Sequence, residues 1–184
     1  MKNHVENLVS IDFFIVPTAG FKVLFVLVVL SHHRRRVLHF NVTEHPTAEW
    51  TAQQIVEAFP YGTAPKYLLR DRDKVYGDYF QKRVEGLGIK EVLIAPRSPW
   101  QNSYAERVIG SIRRECLDSV IVLNKRHLKK TLARYFDYYH RWRTHLSLDM
   151  DAPEHRHVQP TELGDVVEFP DIGGLQYHYE RRAA

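Results

Sequence analysis

The chain has 184 residues, 44% hydrophobic and 26% charged, which suits one ordinary domain with a short appendage. Its single cysteine, Cys116, excludes an internal disulfide and a thiolate zinc site, and fits a reducing, cytoplasmic setting. Lys and Arg outnumber Asp and Glu by 26 to 22, and the excess is local: residues 97–145 hold eleven basic side chains against four acidic ones, pointing to an anionic partner for that segment.

Residues 8–16 (LVSIDFFIV) alternate Val9, Ile11, Phe13 and Ile15 against Ser10 and Asp12, the period of a strand. Turn chemistry at 17–20 leads to a second strand over 21–30, apolar on both faces and therefore central in a covered sheet. This run is far shorter than the ~20 apolar residues of a membrane span, and no signal-peptide layout precedes it. A third strand is expected over 35–42, a helix over 47–59 and a short strand over 66–70. A helix over 78–87 and a strand over 91–94 follow. A further helix should run to about residue 118, and another should cover 125–143 with Leu128, Leu132, Tyr135, Phe136 and Tyr139 at helical spacing. Residues 166–169 and 175–179 flank Gly173-Gly174 and can form a small hairpin. The pattern predicts an α/β domain with a mixed sheet and helices on both faces, residues 1–153, followed by a tail at 154–184.

Three acids need an explanation. Asp12 lies inside a strand, where an ionised carboxylate loses hydration unless compensated, by Arg35 or Arg36 or by something else. Asp71 follows a strand at its C-terminal end, where ligands of α/β sheets gather, although the "RDRD" run could pair with itself on the surface. Glu106 stands three residues after Ser103, the spacing of a capping box, so helix capping competes with a functional role. If the three met, mutual repulsion would demand cations, and oxygen ligands without thiolates select Mg²⁺ or Mn²⁺. Two such ions serve phosphodiester displacement.

The stretches SIDFF (10–14), YLLRDRDKVYGDYF (67–80) and PRSPWQNSYAERVIGSIRRECLD (96–118), with YFDYYHRWRTHLSL (135–148), resemble the integrase core of DDE-type transposases from bacterial insertion sequences, relatives of retroviral integrases. Thirty-four residues separate Asp71 from Glu106, close to that family's spacing. The resemblance implies an RNase H-like fold with a five-stranded mixed sheet. It implies Asp12, Asp71 and Glu106 as catalytic metal ligands for two Mg²⁺ or Mn²⁺ ions, and strand cleavage followed by strand transfer on DNA. It also implies a homo-oligomer acting at the nucleoid. Asp73 competes with Asp71, because both would point to the same side of an extended chain and the usual glycine after the second aspartate is absent here. Family members usually carry helix-turn-helix segments ahead of the core, and seven residues precede the first strand here. A separate upstream DNA-binding chain, a catalytically impaired DNA-binding relic, and a nuclease that stops at hydrolysis therefore stay open. Glu106 and Arg113, two helical turns apart, should face the same way. Arg113, Arg114, Lys129 and Lys130 are candidate DNA contacts, with Lys125 and Arg126 extending the basic cluster. Trp100 and Tyr104 are candidates for base contacts or local packing.

Overall fold

The computed structural model describes residues 6–183. Its centre is a five-stranded sheet in the order β3-β2-β1-β4-β5. β1 (Leu8–Pro17), β2 (Val23–Ser31) and β3 (Val37–Thr43) form an antiparallel meander. β4 (Tyr67–Arg70) and β5 (Lys90–Leu93) join parallel to β1, each reached through a helical crossover.

Two apolar layers cover the sheet, and strand periodicity assigns each residue to one of them. Val9 and Ile11 of β1 and Leu27 and Val29 of β2 pack with Ile55 of α1 (Ala48–Ala58) and Phe80 and Val84 of α2 (Asp78–Gly86). Phe14, Val16, Leu24, Val26 and Val28 face the other way, against Ala105, Val108 and Ile112 of α3 (Ser103–Glu115) and Leu128, Leu132 and Tyr135 of α4 (Lys125–Arg141). Burying each such aliphatic side chain contributes about 1.5–3 kcal/mol. The expected mixed sheet with helices on both faces is the one observed. Among the described residues no helix is long and apolar enough to cross a membrane.

Two strands start later than expected. Phe21 has φ +59° and is 97% exposed, because Thr18 and Lys22 close the turn around it: each backbone amide donates across, Thr18 to the Lys22 carbonyl and Lys22 to the Thr18 hydroxyl. Arg34 and Arg35 are also left-handed, with φ +51° and +59°, so the third strand begins at Val37. Arg34 is anchored there by donating to Asp151 Oδ2 at 2.6 Å and to the carbonyls of Ala152 and Pro153. The helix expected to reach residue 118 stops at Glu115 and passes into a short 3₁₀ turn, Leu117–Ser119.

Beyond residue 153 the hairpin of β6 (Asp165–Asp171) and β7 (Gln176–Arg182) forms its own two-stranded sheet, longer than the residue pattern suggests. His178 stacks on Trp142 with ring centroids 4.0 Å apart, and Gln176 Nε2 donates to the Glu115 carbonyl.

Candidate active site

Asp12 sits mid-strand in β1, half-buried, on the face covered by α3. The parallel pairing of β1 with β4 matches Ser10 to Leu69. Continuing that register by two residues brings Asp71, the first residue past β4, alongside Asp12. Asp12 Oδ1 accepts a hydrogen bond from the Phe13 amide at 2.8 Å. Burial pushes the Asp12 carboxyl up to about 7; the Phe13 hydrogen bond opposes this, and the negative charges of Asp71 and Glu106 add to the rise. Asp71 and Glu106 therefore each lie within electrostatic reach of Asp12. Asp73 is not among the charges raising Asp12.

Four arginines that could have paired with these acids, Arg35, Arg36, Arg70 and Arg72, are engaged elsewhere. Arg35 donates to the His32 carbonyl and lies over the Tyr104 ring, and Arg36 pairs with Glu154. Arg70 is buried; its Nε donates to Glu91 at 2.5 Å and its Nη1 to the backbone carbonyl of Asp71 at 2.8 Å. Arg72 Nε donates to the Ile94 carbonyl. The "RDRD" run thus does not pair with itself. Instead Asp71 Oδ1 accepts from the Asp73 amide and Asp73 Oδ1 from the Val75 amide, two consecutive Asx turns that shape the chain leaving β4.

Beneath this turn lies Tyr76, buried between Phe13 and Phe80 with ring centroids 6.1 and 5.0 Å away. Burial raises its hydroxyl well above the ordinary value, reinforced by Asp71 and Asp12, so it stays protonated. Neither Arg70 nor Tyr76 stands out in the sequence as part of the site. Only the strand position of Arg70 hints that its side chain is enclosed.

Glu106 lies on the first turn of α3, exposed, and makes no hydrogen bond or ion pair among the described residues. Capping does not explain it: the N-cap is Asn102 and no side chain caps this helix. Asn102 is buried and donates weakly, at 3.5 Å, to the Ile11 carbonyl, tying the helix start to the strand that carries Asp12. Asp12, Glu106 and Arg113 line one open groove of about 490 Å³, with Phe14, Ile109 and Gly110 between them. The Arg113 guanidinium lies 5.8 Å over the Phe14 ring. Arg114 folds back over Gly110, its Nη1 3.0 Å from where a Cβ would sit. Lys129 and Lys130 are exposed on α4 and do not line this groove. Trp100 is 68% exposed, whereas Tyr104 packs locally beneath Arg35.

All-carboxylate oxygen donors with no cationic partner suit a hard divalent ion. Among the described residues, however, no three His, Cys, Asp or Glu side chains are gathered closely enough to enclose one.

Residues 87–153 match the family model described as the integrase core domain. No curated protein matches the chain. Among solved structures, it is similar to a chain of the simian T-cell lymphotropic virus intasome in complex with the PP2A regulatory subunit B56 gamma. The TM-score is 0.66 at 13% identity, over 95% of this chain and 66% of that one, just under two thirds of its length. It is similar to the HTLV-2 integrase catalytic core domain in complex with magnesium (0.61, 11% identity, 82% of this chain and 94% of that). It is also similar to the Mos1 transposase catalytic domain with Raltegravir and Mg (0.63, 15% identity, 74% and 73%). At such identities the structural likeness concerns the fold, which is RNase H-like. The matched segment includes Glu106 and spans little more than a third of the chain.

Proposed function

We propose that the chain is the catalytic core, over residues 1–153, of a metal-dependent DNA transposase or integrase. It would cut a strand at an element end and join the freed 3′-hydroxyl to target DNA. One observation carries the reading: a half-buried carboxylate mid-strand with two further acids in electrostatic reach and no cation paired with it. Such a group is relieved by a proton, an arginine or a metal ion. Arg35, Arg36, Arg70 and Arg72 are committed elsewhere, Arg113 lines the groove without an ion pair to Asp12, and at physiological pH a proton gives only partial relief. Asp12, Asp71 and Glu106 would hold two Mg²⁺ or Mn²⁺ ions; once bound, these supply an activated attacking oxygen and a stabilised leaving oxygen. Asp71 is preferred to Asp73 because its charge reaches Asp12. Arg113, in the same groove, would receive a backbone phosphate, and Arg114, Lys129 and Lys130 would add weaker electrostatic contacts. HTLV-2 integrase cores are described in dimeric and trimeric forms, which supports a homo-oligomer here as well.

A second reading, a DNA-binding chain without catalysis, is favoured by the acids not being closely gathered. A labelled element end incubated with supercoiled target and Mg²⁺ separates the possibilities. Joined products that vanish in Asp12→Asn and Glu106→Gln support transfer, whereas nicks without joining indicate a nuclease. Mg²⁺ binding that is the same in both variants would sink the metal site.

A further inference from the structure

Helix α3 has a second functional flank. Glu106, Ile109, Gly110 and Arg113 face the acidic groove, while Tyr104, Arg107, Val108 and Ser111 face a separate cavity of about 240 Å³, closed on its far side by the C-terminal end of α4 and the chain after it. We propose that this cavity holds a phosphodiester group of a nucleic-acid backbone, a contact that rests on the reading of the chain as a DNA-handling protein and extends the DNA path across α3.

Its walls carry three guanidinium groups, those of Arg35, Arg107 and Arg143, and no carboxylate. Arg143 is neutralised from behind: Nε and Nη2 donate to both oxygens of Glu115, at 2.7 and 2.6 Å. The other two charges are uncompensated. Arg107 is exposed and has no hydrogen-bond or ion-pair partner among the described residues. Arg35 meets no carboxylate. Its Nη1 donates to the His32 carbonyl at 2.6 Å, its guanidinium carbon lies 3.6 Å from the Tyr104 ring centroid, and its own carbonyl accepts from the Tyr139 hydroxyl. A cation held in place before any ligand arrives loses little entropy on binding, and a planar guanidinium fork matches phosphate oxygens. The hydroxyls of Ser111, Thr144 and Ser147 line the same cavity and supply further donors.

His145 in the cavity wall and His32 behind Arg35 are both pulled down to about 4, first by burial and then by Arg143 and Arg35 respectively. Both are neutral at physiological pH, and the cavity stays positive through its arginines alone. Unlike the acidic groove, it needs no metal to accept an anion.

The test is anisotropy of a labelled DNA duplex in EDTA, where a metal-bridged contact at Asp12 cannot contribute. Arg107→Ala should weaken binding about tenfold and reduce the log–log salt slope by about 0.9, as for one lost phosphate contact. Arg107→Lys should recover most of the affinity. Arg35→Lys, which keeps charge but loses the planar stack, should weaken binding less than Arg107→Ala. Lys82→Ala, on the opposite face of the sheet, is the control. Unchanged affinity and slope in Arg107→Ala, or an equal loss in Lys82→Ala, would overturn the proposal. Arg107 is exposed, so unchanged melting of its variants separates binding from folding. Binding that depends on Arg107 in a chain that never cuts DNA would refute the catalytic reading alone. Strand transfer with an Arg107-independent salt slope would refute this cavity alone.

Discussion

Replacing Asp12 by asparagine should stabilise the metal-free protein, and the size of the effect follows from its surroundings. Burial raises the Asp12 carboxyl from the ordinary 3.8 to about 7. The folded state therefore holds this proton more tightly than the unfolded chain does. The contribution of Asp12 to stability is greatest below pH 4, falls as pH rises from about 4 to 7, and levels off above. At ~1.4 kcal/mol for each tenfold change, the ionised form costs about 4 kcal/mol above pH 7. The asparagine side chain would keep the acceptor for the Phe13 amide and remove the charge. Asp12→Asn in EDTA should then melt roughly 8–16 °C above the parent at pH 8, at ~2–4 °C per kcal/mol for a chain of this size, with the gap closing by pH 4. Adding Mg²⁺ should close most of this gap, since a ligand at a hundred times its Kd stabilises the parent by about 2.7 kcal/mol against the ~4 kcal/mol cost of the ionised carboxylate, and the variant has lost a ligating oxygen. Thermal denaturation across pH 4 to 8, with and without Mg²⁺, measures all of this. An asparagine variant no more stable than the parent at pH 8 in EDTA would mean that Asp12 is already compensated, and the argument for a metal would fail.

Glu106→Gln should leave melting unchanged within ~0.5 kcal/mol, because the side chain is exposed and without hydrogen bonds, while abolishing joined products in the strand-transfer assay. Glu115→Ala should destabilise by about 2–3 kcal/mol in chemical denaturation. It strands the half-buried Arg143 and removes the acceptor of the Tyr135 hydroxyl, which donates at 2.9 Å. Cys116 is buried and its thiol is pushed up to about 11 by that burial, so a thiol reagent at pH 8 should label it only at the rate of unfolding.

The strand layers are legible from period-two patterning, but what alternation means is not. Ser10 and Asp12 read as the polar side of β1, yet Ser10 is fully buried, because α3 and α4 cover that face. The signal for two covered faces comes from β2, whose unbroken apolar run fits no solvent side. Strand starts escape the pattern at Phe21 and at Arg34-Arg35 for a local reason. Left-handed backbone is expected at Gly or Asn; here Phe21 adopts it in a turn closed by Thr18 and Lys22, and Arg34 is held in it by residues 151–153.

For the site, Glu106 is visible through its motif and Asp71 through its place after a strand. What no local pattern can carry is the pairing of everything around them. Asp12 and Asp71 become neighbours through a parallel register between strands that are about sixty residues apart in the chain. The decisive fact is where the arginines go. A run such as Arg70-Asp71-Arg72-Asp73 offers each acid an adjacent cation, yet Arg70 is drawn down to Glu91 on the next strand and Arg72 across to the Ile94 carbonyl. Removing the nearby cations raises the free energy of the ionised acids, and that unrelieved charge is what a divalent ion would find. The same logic acts in reverse beyond α3, where Glu115 turns away to Arg143 and leaves Arg35 and Arg107 without an acid. One helix thus separates an acidic groove from a basic cavity, and the separation depends on partner choices made between residues far apart in the chain.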